Sequence, residues 1–502
     1  MSKINLPACG KIYVRAPLRL ESPLIIGSGR SEYSDLDLLR DPVTAKPMIP
    51  STSIIGVFRS FLTKTLYELE GRLSPLVQEN FKYLFGYLAT EEEKNAAERK
   101  NAMAIEGQSA LQCGDILLNH AAIWSRDGVK IDAKSNTAEA SMKYNYEVVE
   151  AADEFELRLE LTLRKGRRKS EAPEKEFFDV QIFKRMLLTI FQGIHDGHIR
   201  LGAKTNKGFG KLGIDLNAVA VTELNFANSA HVLQWLSEKP EAPANGKLVG
   251  QNLAPFAAPN QQFKIDAWFA LKSAMLIKAY ASDPGLPDAA AIDREVRAGE
   301  KRQRRAVLPG TSMMGAVQHR ALKILNTLGD PHAQAKLEGL FGYVRDETAA
   351  LKLPAEERKK PPAQKGRVRI EETLIENAAR EVQTRIKIDR FTGGTIHGAL
   401  FEMMPLWQKD GGDAIHVVIT INDYQDWEPG LFLFILKDLW TGDLAIGGEK
   451  NVGRGVLQGR HANISWKENT ARLQADATGK LEPAALAPLE ALVTKFKEAM
   501  QS

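Results

Sequence analysis

Apolar and polar residues follow one pattern twice along this chain. Apolar residues alternate with polar ones in residues 155–161 and again in 415–421, and a period of two predicts half-buried strands. After each alternating run come apolar residues at helical spacing, which predict a helix with one buried face. The second copy of this helix is the shorter one, at residues 431–439. In the first copy the buried face comprises Phe183, Leu187, Ile190 and Ile194.

Short sequence landmarks recur in the same order in both halves. Residues 49–56 read Ile-Pro-Ser-Thr-Ser-Ile-Ile-Gly, and residues 308–315 read Leu-Pro-Gly-Thr-Ser-Met-Met-Gly. A helical pattern follows each, and the Ser/Thr cluster is well suited to cap it. Because loop lengths differ while the order does not, the sequence indicates a duplicated module. The other landmarks are Leu-Phe-Gly-Tyr at 84–87 and 340–343, an apolar strand ending in Asp at 129–132 and 386–389, and glycine-rich segments at 201–210 and 446–455.

Each repeat reads β–α–β–β–α–β with long insertions, which is the element order of a ferredoxin-like fold. We therefore expect an α+β protein of two tandem ferredoxin-like, RRM-like modules, residues 1–237 and 263–480. A Pro- and Ala-rich linker over 238–262 joins them, and a C-terminal helix over 481–502 follows. An open sheet of this kind is a common platform for single-stranded RNA, although many unrelated activities use the fold.

Bulk properties narrow the class of protein. A chain of 502 residues is too long for one hydrophobic core, and 44% hydrophobic with 26% charged residues exclude wholesale disorder. The N-terminal residues lack an apolar core and no apolar run approaches bilayer length, so we expect a cytoplasmic protein without a membrane segment. With only Cys9 and Cys113, a disulfide framework and a cysteine-based zinc site are excluded.

The distribution of basic residues and glycines indicates an anionic ligand. The net charge of +4 is modest, but basic runs stand at 164–169, 301–305 and 358–360. For each run a solvated loop tip and a nucleic-acid contact both remain open. The glycine-rich segments allow positive φ and present backbone N–H groups to anions. Hydroxyl residues at a helix start favour a phosphate, with plain capping as the alternative.

Together these elements predict that each module grips a phosphodiester backbone between its own helix start and its own glycine loop. Basic side chains in the loops would meet phosphates and provide salt-sensitive, sequence-independent affinity. The expected RNA contacts are Ser51, Thr52, Ser53, Lys204, Asn206, Lys207, Gly208, Gly310, Thr311, Ser312, Lys450, Asn451 and Arg454.

Acidic segments after the first strand of each repeat indicate chemistry on RNA. A carboxylate beside a phosphodiester is unfavourable unless it binds a cation or transfers a proton. Cleavage of RNA by its own 2′-OH needs an in-line arrangement, a base or metal near the 2′-oxygen, and stabilisation of the developing charge. An ordinary Asx turn or loop carboxylate is the alternative for any single aspartate. The candidates are Asp35 and Asp37 in the first repeat and Asp293, then Asp288 and Asp283, in the second.

Histidines and aromatic residues add little to this picture. The nine histidines form no His-x-x-x-His or His/Glu ligand pattern, so the sequence supports no dedicated metal site. Phe209, Tyr144 and Tyr146 either stack on bases or belong to the core.

These motifs resemble those of the RAMP superfamily and, more narrowly, of backbone subunits of type III CRISPR–Cas effector complexes. The resemblance rests on the acidic loop before Ile-Pro-Ser-Thr-Ser, the Ile-Asp-Arg-Phe-Thr-Gly-Gly run at 388–394, the Gly-Ala-Leu-Phe-Glu strand at 398–402 and the glycine loops. It covers nearly the whole chain twice, so the chain looks like two fused subunits, as in type III-D systems. Ser51 departs from the usual Gly, and Ile55 and Met314 stand where a Lys is often found.

The resemblance implies a cytoplasmic ribonucleoprotein subunit whose partners are a CRISPR RNA guide, a complementary target RNA and other effector subunits. Guide contacts would fall on the helix starts and glycine loops. An Asp of the acidic loop would cleave target RNA with Mg²⁺ or Mn²⁺, the metal contacts being Asp37 and Asp293. A purely structural guide-binding subunit and a stand-alone processing enzyme are the alternatives. The β-hairpin thumbs would span 132–149 and 389–406, with thumb contacts from Lys134, Met142, Tyr144, Arg390, Phe391 and Phe401.

Overall fold

A computed structural model gives the fold of the chain. The residues that it describes are 7–29, 34–69, 73–87, 108–132, 137–151, 153–166, 175–176, 179–238, 246–248, 253–257, 261–279, 287–298, 301–344, 362–409, 412–476, 481 and 486–501. Lys134, Asp283 and the predicted basic residues at 167–169 and 358–360 lie outside these ranges. None of the described helices is long and apolar enough to cross a membrane.

The first module contains a ferredoxin-like sheet. Its four main strands lie in the order β10-β1-β7-β3, all antiparallel, so that the first strand lies centrally, as in the β–α–β–β–α–β fold. The elements are β1 (Ala8–Leu20), β2 (Met48–Ile49), α1 (Ser51–Tyr67), α2 (Pro75–Phe85), β3 (Leu111–Cys113), β4 (Ile116–Leu117), β5 (Ile123–Ile131), β6 (Ala138–Val149), β7 (Glu154–Gly166), β8 (Lys175–Glu176), α3 (Val180–His195), β9 (Leu212–Ile214), β10 (Ala220–Asn225), α4 (Ser229–Glu238) and β11 (Gly246–Lys247).

The second module repeats that topology. Its sheet has the order β19-β25-β12-β26-β27, which is the same arrangement with one added edge strand. The elements are β12 (Gln262–Leu271), β13 (Lys278–Ala279), β14 (Ala289–Ala291), β15 (Asp293–Ala298), β16 (Lys301–Leu308), α5 (Gly310–Thr327), α6 (Ala333–Phe341), β17 (Gly342–Val344), β18 (Ala363–Lys365), β19 (Val368–Ile370), β20 (Thr373–Leu374), β21 (Ala378–Arg380), β22 (Gln383–Ile388), β23 (Thr395–Met404), β24 (Leu406–Gln408), β25 (Ile415–Asn422), α7 (Glu428–Thr441), β26 (Leu457–Trp466), β27 (Asn469–Gln474) and α8 (Ala487–Gln501).

Each module has its own hydrophobic core between its sheet and its helices. On β12, Ile265 pairs with Ile419 of β25 and Ile464 of β26, and all three side chains are buried. The predicted face of α3 is confirmed, since Phe183, Leu187, Ile190 and Ile194 are fully buried. Part of the predicted linker also packs: Leu248 and Phe256 belong to the first core. The predicted domain boundaries otherwise stay predictions.

Both helices after the repeated Pro-x-Thr-Ser segment begin earlier than predicted. Pro50 and Pro309 are the N-cap residues of α1 and α5, and neither helix has a side-chain cap. The Ser/Thr clusters therefore lie within the first helical turn, and the prediction that they cap the helices is wrong. In α1 the free N–H of Ser51 is instead bound by Asp115 Oδ1 at 2.7 Å.

Two β-hairpins lie in the segments of the sequence where excursions were predicted. The first comprises β5 and β6, and the second β22 and β23. Their first arms begin at Ile123 and Gln383, before the predicted starts. Asp389 closes the second tip, since its Oδ1 accepts from the backbone N–H of Phe391 at 3.0 Å and of Thr392 at 2.8 Å. Both hairpins expose apolar side chains: Trp124, Val129, Ile131, Met142, Tyr144, Ile386, Ile388, Phe391, Ile396 and Leu400.

Candidate nucleic-acid interface

The two glycine loops have the same backbone conformation. In the first loop Lys204 and Gly208 flank a short 3₁₀ turn with left-handed φ of 55° and 89°, and in the second Glu449 and Gly453 do so with 57° and 83°. Each loop also donates N–H groups to the turn after the first strand, among them that of Ala203 to the Ile25 carbonyl at 2.7 Å and that of Gly448 to the Leu276 carbonyl at 2.7 Å. The repeated sequence thus encodes a repeated structure.

The first glycine loop packs against the helix start of the second module. Gly310 is buried at the start of α5, and a Cβ on it would lie 2.2 Å from the Lys207 carbonyl oxygen. A Cβ on Gly208 would lie 2.3 Å from the backbone nitrogen of Glu372. The helix start of the second module therefore meets the glycine loop of the first, so this contact lies between modules rather than within one. The clasp of RNA within each module stays a prediction.

Buried ion pairs lock this junction. Arg126 of β5 lies 2.5 Å from Glu372 and 3.2 Å from Glu150, and Arg294 lies 3.5 Å from Glu372. The Arg126 side chain is 5% exposed and that of Glu372 is 0%. Burial acts to lower the pKa of Arg126, but the two carboxylates outweigh it and the pKa is raised. Burial raises the pKa of Glu150 despite its arginine neighbour. Charges so buried are stable only when paired.

A second buried pair lies beside the first. Arg200, which directly precedes the first glycine loop, pairs with Glu371 of the second module at 2.5 Å. Arg369 donates to the Gly197 carbonyl at 3.0 Å, and burial, with Arg200 nearby, lowers its pKa to about 10. These two ion pairs give the modules one fixed register.

Arginines of the basic run at 301–305 contact the first module as well. Arg302 donates to the His120 carbonyl at 3.0 Å, and the Arg304 guanidinium lies 3.7 Å from the ring centre of Trp124, a cation–π contact. Arg305 pairs with Glu376 within the second module. In β16 these residues are neither loop tips nor free cations.

Lys204 is the buried cation of the first glycine loop. Its Nζ lies 3.3 Å from the ring centre of Tyr146 and 4.7 Å from that of Tyr144. Within the part of the chain that the structure describes, that Nζ atom is buried without a hydrogen-bond partner. Burial, followed by the charges of Lys207 and Arg126, lowers the pKa of Lys204 to about 7. A phosphate contact by Lys204, as predicted, requires the side chain to leave the two rings.

Asp35 is tied to the first hairpin by two reciprocal hydrogen bonds. Its Oδ2 accepts from the backbone N–H of Asn145 at 2.8 Å, and its own N–H donates to Asn145 Oδ1 at 2.9 Å. The next residue, Leu36, bridges Tyr146 in parallel. Asp35 is exposed, so its carboxylate is positioned by the hairpin while it stays accessible.

Asp288 occupies the equivalent place in the second module. Its Oδ2 accepts from the backbone N–H of Glu402 at 2.9 Å, and the following Ala289 pairs with Met403 in parallel. Asp288 is also exposed. The structure therefore makes Asp288, rather than Asp293, the counterpart of Asp35.

The other two predicted acids are engaged elsewhere. Asp37 is 5% exposed and accepts from the Ser34 N–H and hydroxyl at 2.7 Å each. Asp293 was expected in a loop, but it is the first residue of strand β15, and its carboxylate pairs with Arg380. Both carboxylates are thus held within their own modules.

The remaining predicted contacts divide by exposure. Thr52, Lys450 and Asn451 are exposed, whereas Ser51, Ser53, Asn206, Lys207, Thr311 and Ser312 are half-buried. Arg454 is 6% exposed; its Nη2 donates to Gln383 at 2.6 Å and its Nε lies 3.1 Å from Glu449. It therefore holds the second loop to the second hairpin. Phe209 is fully buried, so its alternative as a core residue is confirmed.

Of the predicted thumb residues that the structure describes, most are accessible. Phe391 is 98% exposed at the tip of the second hairpin, and Met142 is 45% and Tyr144 38% exposed on the first. Arg390 is also exposed, and Phe401 is half-buried. Apolar side chains on a projecting hairpin are typical of a surface that meets unstacked bases or another protein.

A comparison with known families assigns this architecture. The family model of the RAMP superfamily matches residues 17–213 and 295–458. The chain belongs to the RAMP superfamily. One matched region falls in each module, consistent with two RAMP modules in one chain, and ferredoxin-like sheets are the fold of this superfamily. Membership implies a CRISPR-associated, RNA-binding role. No curated protein matches this chain.

Sequence reasoning missed the residues that act between elements. Asn145 and the ion pairs of Arg126 with Glu372 and Arg200 with Glu371 join segments far apart in the chain. The sequence offered one signal, the polar Asn145 between Tyr144 and Tyr146. Because successive side chains of a strand point to opposite faces, Asn145 is predicted to face away from both tyrosine rings.

Proposed function

We propose that this RAMP chain is a backbone subunit of a type III CRISPR effector complex that holds a CRISPR RNA guide and cleaves complementary target RNA. The observation that carries the proposal is the equivalent placement of Asp35 and Asp288. Each is exposed, and each is fixed by the backbone of a hairpin strand that exposes apolar side chains. A carboxylate repeated at the same structural place suits two cuts in one target. Asp288 takes the role that the sequence suggested for Asp293.

The proposed reaction requires positioning more than covalent chemistry. The 2′-oxygen of a target nucleotide attacks the adjacent phosphorus, the bond to the 5′-oxygen breaks, and a 2′,3′-cyclic phosphate and a 5′-hydroxyl form. The 2′-hydroxyl proton passes to the aspartate, and a proton from water reaches the departing 5′-oxygen. The attack must be in line, so a nucleotide has to be turned out of the duplex. An exposed apolar hairpin beside the carboxylate supports that step.

Mg²⁺ or Mn²⁺ is the proposed cofactor, with RNA supplying part of its shell. Among the residues that the structure describes, no three His, Cys, Asp or Glu side chains converge to hold a metal. A single carboxylate with substrate phosphates and water is a common way to bind Mg²⁺. Asp35 and Asp288 fit that arrangement, and the ion would stabilise charge on the phosphate. Asp37 and Asp293, the predicted metal contacts, already bind Ser34 and Arg380.

The head-to-tail junction supports the assembly part of the proposal. Since the glycine loop of the first module receives the helix start of the second, the two modules follow one another in a single direction. Two equal, directional modules suit a repetitive polymer such as RNA. The other effector subunits and the cytoplasm remain the proposed partners and location.

A purely structural role is the second candidate. It is favoured by the hydrogen bonds of the two carboxylates, since Asp35 and Asp288 each accept from a backbone N–H of the hairpin rather than from a catalytic side chain. In that case both modules hold guide RNA and other subunits cleave.

Cleavage by the assembled complex separates the two candidates. With Asp35→Ala and Asp288→Ala together, we expect target cleavage to fall by roughly 10²–10⁴-fold while target affinity is unchanged. Asp293→Ala is the matched control and keeps cleavage. Undiminished cleavage in the double variant would favour the structural role. Guide binding is checked separately by salt titration, where affinity should fall steeply with ionic strength.

A further inference from the structure

The second glycine loop presents an uncovered copy of a surface that is covered in the first module. A Cβ on Gly208 would strike Glu372, whereas a Cβ on the equivalent Gly453 would meet no atom of the described residues within 4 Å. Val452, the counterpart of Lys207, is 62% exposed, and Lys450 and Asn451 are exposed as well. The first loop is covered by the helix start of the second module, at Gly310, and by Glu372. Since the two loops share one backbone conformation, a similar helix start would fit on the second loop.

The cover has a strict steric requirement. The helix start of the second module reaches the loop only because Gly310 has no side chain: its Cβ would lie 2.2 Å from the Lys207 carbonyl and 2.7 Å from that of Ile370. Real Cβ atoms essentially never approach within 3.0 Å. The equivalent first residue of α1 is Ser51, which carries the Cβ that the approach excludes.

The cover also has a charge requirement that a second copy of this chain does not meet. At the internal junction Arg126 pairs with Glu372, and Arg200 with Glu371. Gln383 is the counterpart of Arg126, because Gln383 pairs with Met403 and Arg126 pairs with Tyr146. Met403 and Tyr146 are equivalent, since they bridge the residues that follow Asp288 and Asp35. Asp115 and Gly114 correspond to Glu372 and Glu371 through the pairings of β4 and β20. Ala445, before Ile446, stands where Arg200 precedes Leu201. Docking of one copy onto another would form neither ion pair.

We propose that the second glycine loop, residues 446–455, docks the helix start of a RAMP module on a different chain, one whose helix begins with glycine after proline. Ser51 prevents a second copy of this chain from filling the place. This inference rests on the proposed function for its setting, an assembly of RAMP modules. It adds that the neighbour at the second glycine loop is a protein other than a second copy of this chain.

Self-association of the purified full-length chain, without RNA, tests the exclusion. Sedimentation velocity should show no concentration-dependent association of the unaltered chain. Ser51→Gly, Gly114→Glu and Ala445→Arg together remove the clash and restore one ion pair, the counterpart of Arg200 with Glu371, and we expect head-to-tail oligomers. Adding Val452→Arg should return that variant to the monomer. Oligomers of the unaltered chain that Val452→Arg disperses, or no association of the triple variant with an unchanged melting temperature, would overturn the proposal.

Cross-linking in the native assembly tests the occupant. The probe is a lysine-reactive cross-linker acting at Lys450 of the tagged full-length chain. The expected partner peptide comes from a different chain and includes a helix start with glycine after proline. A cross-link to the residue 51–59 region of a second copy, to a helix start without glycine, or to no protein would overturn it. Because the first assay contains no RNA, its outcome is independent of whether the chain binds a guide.

Discussion

Lys204 offers the most quantitative prediction of the structure. Its ammonium is buried against two tyrosine rings and lacks a hydrogen-bond partner among the described residues, which is unfavourable for a charge. A pKa of about 7 against an ordinary 10.5 corresponds to at most about 5 kcal/mol. Because the side chain is only partly removed from solvent, ~2–3 kcal/mol is the expected cost. Lys204→Met keeps the length and removes the charge.

The expected effect of Lys204→Met depends on pH with a definite sign. The folded-state pKa is depressed, so the unfolded chain binds more protons between pH 7 and 10.5 and the penalty is full at and below about pH 7. It disappears as the pH rises toward the ordinary value. We expect the variant to melt roughly 4–12 °C higher at pH 7, with the gain shrinking steadily toward pH 10.

Thermal unfolding by circular dichroism at several pH values checks this prediction. Lys450→Met is the matched control, since Lys450 lies exposed in the equivalent loop and its substitution should change the melting temperature little. A lower melting temperature for Lys204→Met at pH 7, or a gain that does not change with pH, would refute the reasoning. The first result would mean that the ammonium has an anionic partner in the folded protein, and the second would mean that the gain does not come from the depressed pKa of Lys204.

Three further predictions concern the junction and the first site. Gly310→Ala should destabilise the chain by roughly 1–3 kcal/mol because its Cβ would strike a carbonyl, whereas Gly315→Ala, with no atom within 4 Å, should stabilise it by about 0.5–1 kcal/mol; chemical denaturation measures both, and equal effects would contradict the close contact. Glu372→Gln should cost roughly 3–5 kcal/mol because it removes a buried carboxylate from Arg126 and Arg294 and leaves Arg126 paired with Glu150, and exposed Glu156→Gln should cost less than about 1 kcal/mol; a small loss for both would show that the buried pairs do not hold the modules. Asn145→Ala should slow cleavage at the first-module cut alone, seen in single-turnover rates, while Asn145→Asp, which keeps the acceptor oxygen, should retain more activity; a loss at both cuts would indicate a general folding effect.

The repeated fold was readable because it depends on local signals. Strand alternation and the helical face of Phe183 to Ile194 report burial directly. The glycines at the loop ends report left-handed backbone, which is why the two loops could be matched in sequence and share φ values in the structure. These features each lie within one short segment.

The features that sequence could not show arise between segments. The sequence predicted a clasp within each module, but it could not show that the second helix start meets the first glycine loop across the junction, where Gly310 and Gly208 pack against the other module. Asp293 was the first candidate in the second repeat, ahead of Asp288 and Asp283, yet Asp288 is the counterpart of Asp35. The hairpin of β15 and β16 follows Asp288 in the second module, and this insertion moved the equivalent aspartate further upstream. Only the pairing with Glu402 reveals the correspondence.

The most direct measurement is the map of target-RNA cuts made by the assembled complex with single substitutions. Our account predicts two cuts that depend on this chain. Asp35→Asn should remove one of them and Asp288→Asn the other, with target affinity unchanged in both. Loss of both cuts from either substitution, persistence of both, or loss of a cut from Asp293→Asn in place of Asp288→Asn would contradict it.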